Sequence, residues 1–162
     1  MREDLVTPTT ARRLVAEGFA WEPQLGDWCT VLGAEHVAEG NAGLWLVMAL
    51  APGGETLGLV DANGQWPVTQ VARSNCLWLP TAGKLKTWLR AHGYRIATGE
   101  VSAHLLGGSA PVLHTICRLT RLGEQKPALE TEGHNEAEAV AQAVLAVLSA
   151  NPPGISGAGP AS

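Results

Sequence analysis

One segment constrains the fold more than any other: CLWLPTAGKLKTWLRAHGY, residues 76–94. It begins with a short apolar run that ends at Pro80, a residue that cannot donate a hydrogen bond to a neighbouring strand. Thr81 then has the side chain of a helix cap, and Gly93 is suited to end the helix. Between them, four side chains recur at helical spacing: Leu85, Trp88, Leu89 and His92. The segment therefore predicts a strand followed by an amphipathic helix, with Trp88 in the core.

Three more elements are predicted downstream of this helix. Residues 95–108 and 111–123 both have strand character and are joined by small residues, which predicts an antiparallel hairpin. Residues 127–133 are a further candidate strand. Asn135 and Glu138 then have the spacing of a capping box, in which each side chain caps the other residue's backbone N–H at the start of a helix.

The first 80 residues predict one helix followed by strands. The helix begins with cap-type threonines, of which Thr7 is the first, Pro8 suits its first turn, and Gly18 ends it. Alternating side chains predict a strand over 27–32, and two apolar runs, 44–50 and 55–60, flank a proline–glycine turn signal. The predicted order is helix, three or four strands, helix, two or three strands, helix.

This order predicts an α+β protein. A chain of 162 residues is about the size of one domain and can bury a core without disulfides or metal. We expect a single domain over residues 1–150, in which three helices pack on one antiparallel sheet. A subdivision near residue 80 is an open alternative, with 81–148 forming an α-β-β(-β)-α unit. Residues 151–162 are small residues and prolines, which predicts a disordered tail.

The charge and the cysteines limit the functional classes. The net charge is -4, the charged residues are only 16% of the chain, and basic residues are scattered, so we expect neither nucleic acid nor membrane as a partner. The longest apolar run, 43–51, is far shorter than the ~20 residues that span a bilayer. Three widely spaced cysteines without a recognisable leader favour a reducing cytoplasm.

The sequence offers no motif for catalysis or for a cofactor. No pair of histidines or cysteines has the spacing of a zinc site, and burial is the default expectation for all three cysteines. No nucleophile elbow or phosphate-binding loop is present. Glu136 and Glu138 fall in the first turn of a helix, where the helix dipole already favours acidic residues. We therefore predict no catalytic, cofactor-binding or metal-binding residue.

Tryptophan provides the candidate interaction residues. The chain has six tryptophans beside one phenylalanine and one tyrosine. Trp21 and Trp66 lie close to prolines in segments that resemble turns, so we expect one or both to be partly exposed. Tryptophan is enriched at interaction hot spots, which makes these two the candidates for a partner surface.

Three segments carry a resemblance to a known group of proteins: GFAWEPQLGDW (18–28), NCLWLPTAGKLKTWLRAHGY (75–94) and EAEAVAQAVLAVL (136–148). Together they resemble small uncharacterised proteins encoded by phages and prophages of Gram-positive bacteria. The C-terminal half is also similar to the phage ABA-sandwich domains. This resemblance implies structural motifs only, and it implies no reaction and no catalytic residue.

The helix, strands, helix order also resembles a double-stranded RNA-binding domain. Such a domain grips phosphates with lysines at the start of its last helix. Here the corresponding stretch, residues 134–139, carries two carboxylates that would repel phosphate. RNA binding is therefore the least favoured interpretation.

The leading functional prediction is a non-enzymatic accessory protein, of phage or mobile-element origin, that acts by protein–protein contact. Its partner would be another protein or a second copy of the chain. The alternative is a small enzyme or nucleotide-binding protein with a pocket built from loops. A pocket with converging polar groups would favour that alternative, and a Trp-bearing apolar surface would favour the first prediction.

Overall fold

The computed structural model describes residues 4–33, 43–62, 69–103 and 112–151. These residues contain three α-helices: α1 (Pro8–Ala16), α2 (Ala82–Ala91) and α3 (Glu136–Ala150). They also contain eight strands: β1 (Trp28–Val31), β2 (Leu44–Leu50), β3 (Thr56–Asp61), β4 (Thr69–Ala72), β5 (Cys76–Trp78), β6 (Tyr94–Ala103), β7 (Val112–Arg121) and β8 (Leu129–Gly133). The predicted tail beyond Asn151 lies outside the described residues, as does the linker between β6 and β7.

The strands form two antiparallel sheets. The first has the order β4-β3-β2-β1-β5, so the short last strand returns to pair with the first. The second is the meander β6-β7-β8. The predicted α+β class, the single domain and the antiparallel pairing with three packed helices are confirmed, and the strands divide into two sheets. Pro80 ends β5, and α2 follows at once, so β6 begins a sheet of its own.

All three helices begin at the residues that the sequence predicts. The hydroxyl of Thr7 accepts from the Thr10 N–H at 3.3 Å, and Pro8 occupies the first helical position of α1. The same type of cap begins α2, where Thr81 accepts from the third residue of the helix. Asn135 caps α3 and accepts from the Glu138 N–H at 2.8 Å.

The carboxylate of Glu138 does not complete the predicted capping box. Its Oε1 accepts from the Thr7 N–H at 2.6 Å, and its Oε2 accepts from the Thr10 hydroxyl at 2.7 Å. The side chain therefore caps α1, to which a negative charge at the helix N-terminus is favourable. Burial explains the difference, because α1 covers the start of α3 and leaves Glu138 only 5% exposed.

The main hydrophobic core joins the three helices to both sheets. Its members include Leu14 of α1, Leu44 of β2, Leu77 of β5, Leu85 and Leu89 of α2, Leu119 of β7, and Val140 and Val144 of α3. A second, smaller core lies on the other face of the five-stranded sheet, under the segment that follows α1; its buried members are Trp21, Cys29, Val47, Leu57 and Leu59. No helix in the described parts of the chain is long and apolar enough to cross a membrane.

The predicted buried face of α2 is confirmed at its centre and wrong at its end. Leu85 and Leu89 are fully buried. Trp88 is only half-buried, and His92 is exposed. The last turn of α2 lies at the edge of the core, so Trp88 packs against the core with part of its ring, leaves the rest at the surface, and is followed by the exposed ring of His92.

Candidate functional site

Five ring side chains are in continuous contact from the small core to the surface. Trp21 stacks on Trp78 with ring centroids 6.0 Å apart, and Trp78 stacks on Phe19 at 5.5 Å. Phe19 meets the edge of Trp88 at 5.5 Å. Trp88 in turn stacks on His92 at 3.7 Å. Such pairs stabilise beyond their buried area, so the rings support one another.

Short-range sequence features bring these rings together. Gly18 has a φ of 87°, which ends α1 and turns the chain so that Phe19 and Trp21 follow it over the sheet. Trp78 is the last residue of β5. Trp88 precedes His92 by one helical turn and therefore shares its face of the helix.

Trp21 is interior, so the expectation that one or both of the candidate tryptophans are partly exposed now rests on Trp66. Its side chain is 8% exposed, and the indole N–H donates to Asp27 Oδ2 at 2.9 Å. Asp27 is itself 3% exposed, and it also accepts from the Gln24 N–H and pairs with Lys84 at 3.3 Å. A buried indole needs such a partner, and this carboxylate supplies it. Trp66, the other candidate, lies outside the described residues.

The outer rings line an open groove of about 960 Å³, called here the aromatic groove. It lies between α2, the end of α3 and the segment after α1. Its lining residues are Gly18, Phe19, Ala20, Glu22, Gln24, Trp78, Lys84, Thr87, Trp88, Ala91, His92, Tyr94, Val147, Leu148 and Asn151. Trp78, Trp88 and Tyr94 are half-buried, so part of each ring faces solvent. The sequence reasoning missed this site because it placed Trp88 in the core.

The C-terminal ends of three helices meet at the aromatic groove. Gly18 follows Glu17, which caps α1, whereas His92 caps α2 and Asn151 caps α3; Gly18, His92 and Asn151 all line the groove. The C-terminus of a helix carries a partial negative charge. The exposed carboxylate of Glu22 adds a full charge. The last turns of α1 and α2 contain Arg13 and Arg90, which offset the dipoles of those helices, whereas the last turn of α3 contains no basic residue.

The lysine of the groove already has an acidic partner. The ammonium of Lys84 binds the buried carboxylate of Asp27 at 3.3 Å and also donates to the side chain of Gln24. The imidazole of His92 is held by its own helix, with Nδ1 2.8 Å from the Trp88 carbonyl oxygen. The groove is therefore an aromatic surface in a slightly negative environment, which favours a cation over a phosphate.

Two of the three cysteines lie together in the five-stranded sheet. Cys29 of β1 is opposite Trp78, and Cys76 of β5 is opposite Val31, so the two thiols share one face of adjacent strands. The hydrogen bond between the thiols and the burial of Cys29 raise the pKa of Cys29. The same hydrogen bond lowers the pKa of Cys76, which is partly exposed. Burial was expected for every cysteine, so Cys76 departs from the prediction.

Cys117 is isolated from this pair and buried between β7 and α3. Burial raises the pKa of its thiol to about 11. Its surroundings agree with the packing role that the sequence predicts for a buried cysteine. A thiol of this kind is unreactive near neutral pH.

The described residues contain no group of three or more His, Cys, Asp or Glu side chains close enough to hold a metal ion.

The two acidic residues at the start of α3, Glu136 and Glu138, both bind side chains or backbone groups of neighbouring elements. Glu136 accepts from Lys86 of α2 at 2.6 Å and from Thr98 of β6 at 2.5 Å. These two hydrogen bonds hold the pKa of Glu136 below its usual range.

Comparison with protein-family models, with curated proteins and with solved structures gives no match to this chain. The class of protein is therefore defined by its own geometry: an α+β domain with two antiparallel sheets and an aromatic groove at three helix ends.

Proposed function

We propose that this chain is a non-enzymatic binding protein, and that the aromatic groove is the place where it contacts a partner protein. One observation carries the proposal: Trp78, Trp88 and Tyr94 present part of their rings to solvent along a single groove. Tryptophan and tyrosine supply a large share of the binding energy at protein interfaces. A rigid line of stacked rings offers that surface at a low entropic cost.

The occupant of the groove is a peptide segment of the partner that carries an arginine or a lysine beside apolar residues. A cation over the face of an indole is attracted by about 0.5–2 kcal/mol. The C-terminus of α3 and the carboxylate of Glu22 act in the same direction. Arginine suits the site better than lysine, because its guanidinium also stacks on aromatic faces.

A small-molecule ligand is the second candidate, and the volume of the groove supports it. A volume of about 960 Å³ lies at the upper end of the range typical of ligand pockets. A nucleotide is disfavoured within this class, since phosphate recognition needs free cations and Lys84 is already paired with Asp27. A flat cationic or uncharged ring compound fits the same walls.

The proposal includes a phage or mobile-element origin, which rests on the sequence resemblance alone. It also includes a cytoplasmic location. All three cysteines are free thiols, as is usual for proteins of a reducing compartment.

A random peptide library displayed on phage and panned against the purified protein tests the function directly. We expect the enriched peptides to contain arginine or lysine next to apolar residues. Each enriched sequence is then synthesised twice, with arginine and with citrulline, its uncharged isostere, and both affinities are measured by calorimetry. The loss of the charge should weaken binding by about fivefold or more.

Two variants locate the binding site. Trp88→Ala should weaken peptide binding by about thirtyfold, the effect of a hot-spot residue. Leu113→Ala is the matched control, because this exposed leucine lies at the far end of the β6–β7 hairpin from Tyr94. If the peptides bind Trp88→Ala as tightly as they bind the parent protein, the aromatic groove is not the binding site. A concentration-dependent dimer that Trp88→Ala abolishes in sedimentation would identify a second copy as the partner instead.

A further inference from the structure

We propose that Cys29 and Cys76 form a thiol pair that exchanges with low-molecular-weight disulfides and closes reversibly into an internal disulfide. The pair lies on the face of the five-stranded sheet that carries the small core. Neither cysteine lines the aromatic groove. The thiol pair is therefore a separate site, and it does not depend on the proposed partner protein.

The strand register brings the two thiols together. Cys29 and Cys76 are diagonal neighbours across β1 and β5, two residues out of direct opposition. Side chains at this separation share one face of the sheet, with Cα atoms about 7–8 Å apart and Cβ atoms somewhat closer. The opposite shifts of the two pKa values, up at Cys29 and down at Cys76, agree with this proximity, and the Cys76 thiol also donates to the Ala72 carbonyl oxygen at 3.6 Å.

Cys76 lies at a position where the backbone can shift enough to form a disulfide bond with Cys29. A disulfide requires Cα atoms about 4.4–6.8 Å apart, which is closer than the usual diagonal spacing in a sheet. β5 is an edge strand of only three residues, and Cys76 is the first of them, directly after the 3₁₀ turn Arg73–Asn75. A small shift of this strand end closes the remaining distance without disturbing a central strand.

Cys76 has the properties of the thiol that attacks an external disulfide, and Cys29 has those of the resolving thiol that attacks the resulting mixed disulfide. Cys76 is partly exposed, and its lowered pKa increases the fraction of thiolate, which is the attacking species. Cys29 is completely buried, and its raised pKa keeps it protonated. An external disulfide therefore meets Cys76 first, and Cys29 reacts only with a sulfur already held beside it.

The exchange takes place in two balanced steps. The Cys76 thiolate attacks one sulfur of an external disulfide, whose S–S bond breaks, and the departing thiolate takes up a proton. The Cys29 sulfur then attacks the Cys76 sulfur, the S–S bond of the mixed disulfide breaks, and the proton of Cys29 passes to the departing external thiolate. Two protein thiols are oxidised by two electrons, and one external disulfide is reduced to two thiols.

Intact-mass spectrometry of the protein incubated with oxidised glutathione tests the pair. We expect first an adduct of one glutathione and then a species that has lost only two hydrogens, which reduced glutathione converts back. Cys29→Ala should stop at the adduct, and Cys76→Ala should remain unmodified. Cys117→Ala is the matched control and should react as the parent protein does, because Cys117 is distant from the pair.

Peptide mapping of the oxidised parent protein assigns the bridge without any substitution, so the test does not depend on the folding of Cys29→Ala. A cross-linked peptide that joins Cys29 to Cys76 confirms the proposal. A parent protein that stays fully reduced in excess oxidised glutathione would overturn it. Equal uptake of glutathione by Cys76→Ala and the parent protein would overturn it as well.

Discussion

Two buried carboxylates join parts of the chain that are far apart in sequence. Asp27 binds the indole of Trp21 and the ammonium of Lys84, and so fixes the segment under the aromatic groove. Glu138 binds the first turn of α1 from the first turn of α3. A buried carboxylate is tolerated only when its oxygens are hydrogen-bonded, so each of these residues determines where a neighbouring segment lies.

Glu138 stabilises the fold through its hydrogen bonds to α1. Glu138→Ala leaves the Thr7 N–H and the Thr10 hydroxyl without their acceptor, and we expect a loss of about 1–3 kcal/mol in the free energy of unfolding. Glu130→Ala is the control, because it removes an exposed glutamate whose ion pair with Arg118 contributes at most about 1 kcal/mol. Urea denaturation measures both. Equal losses for the two variants would show that the bond to α1 adds no stability.

At the scale of elements, β8 and α3 approach each other closely at Gly133. A Cβ atom at Gly133 would lie 2.3 Å from the backbone nitrogen of Ala139 and 2.8 Å from the Glu138 carbonyl carbon. The hydroxyl of Thr131 donates to the Ala139 carbonyl oxygen at 2.7 Å and fixes the same contact. Glycine is therefore required at this strand end by packing, since backbone atoms cannot move aside.

Gly133→Ala should destabilise the protein by at least about 2 kcal/mol, because helix and strand must separate to admit the methyl group. Gly99→Ala makes the same chemical change in the edge strand β6, where nothing lies within 4 Å of the added atom. We expect this control to be neutral or stabilising by up to about 1 kcal/mol, since it removes the entropic cost of glycine. Thermal melts of both variants measure these changes in stability. A Gly133→Ala variant as stable as the parent protein would contradict the close contact.

At the scale of the whole molecule, Glu136 connects three elements through its bonds to Lys86 and Thr98. These bonds lower the pKa of Glu136 in the folded state, so the unfolded state binds more protons in acid. The contact therefore stabilises the fold above the usual pKa range of a glutamate. That stability is lost as the pH falls through the lower folded pKa.

Glu136→Gln should thus reduce stability near neutral pH and remove part of its decrease in acid. Denaturant melts between about pH 7 and pH 3 measure this effect. Glu130→Gln, which makes the same charge change on an exposed strand, is the control. An unchanged acid profile in Glu136→Gln would show that the contact contributes nothing to the pH dependence.

The sequence by itself determined most of the elements, but the predicted three or four strands before α2 are five in the described residues, because β4 (Thr69–Ala72) was not located. Thr7, Thr81 and Asn135 cap the helices as predicted, and Gly18 ends α1, because caps and stops depend on residues within one turn. Alternation and apolar runs likewise located the three strands of the second sheet, whose hairpin and third strand are confirmed. The α+β class follows from the order of these elements.

Only the tertiary structure decided what the side chains do. The pattern around Glu138 predicts a local capping box, yet the packing of α1 on α3 directs the carboxylate to Thr7 and Thr10. The turn-like neighbours of Trp21 favoured an exposed side chain, yet a hydrogen bond to the buried Asp27 holds this indole inside. Helical spacing predicted a buried Trp88, yet the core ends beside this residue and leaves part of its ring in the aromatic groove. Local sequence fixes backbone conformation through short-range sterics and hydrogen bonds, whereas burial and partners depend on which distant surfaces meet.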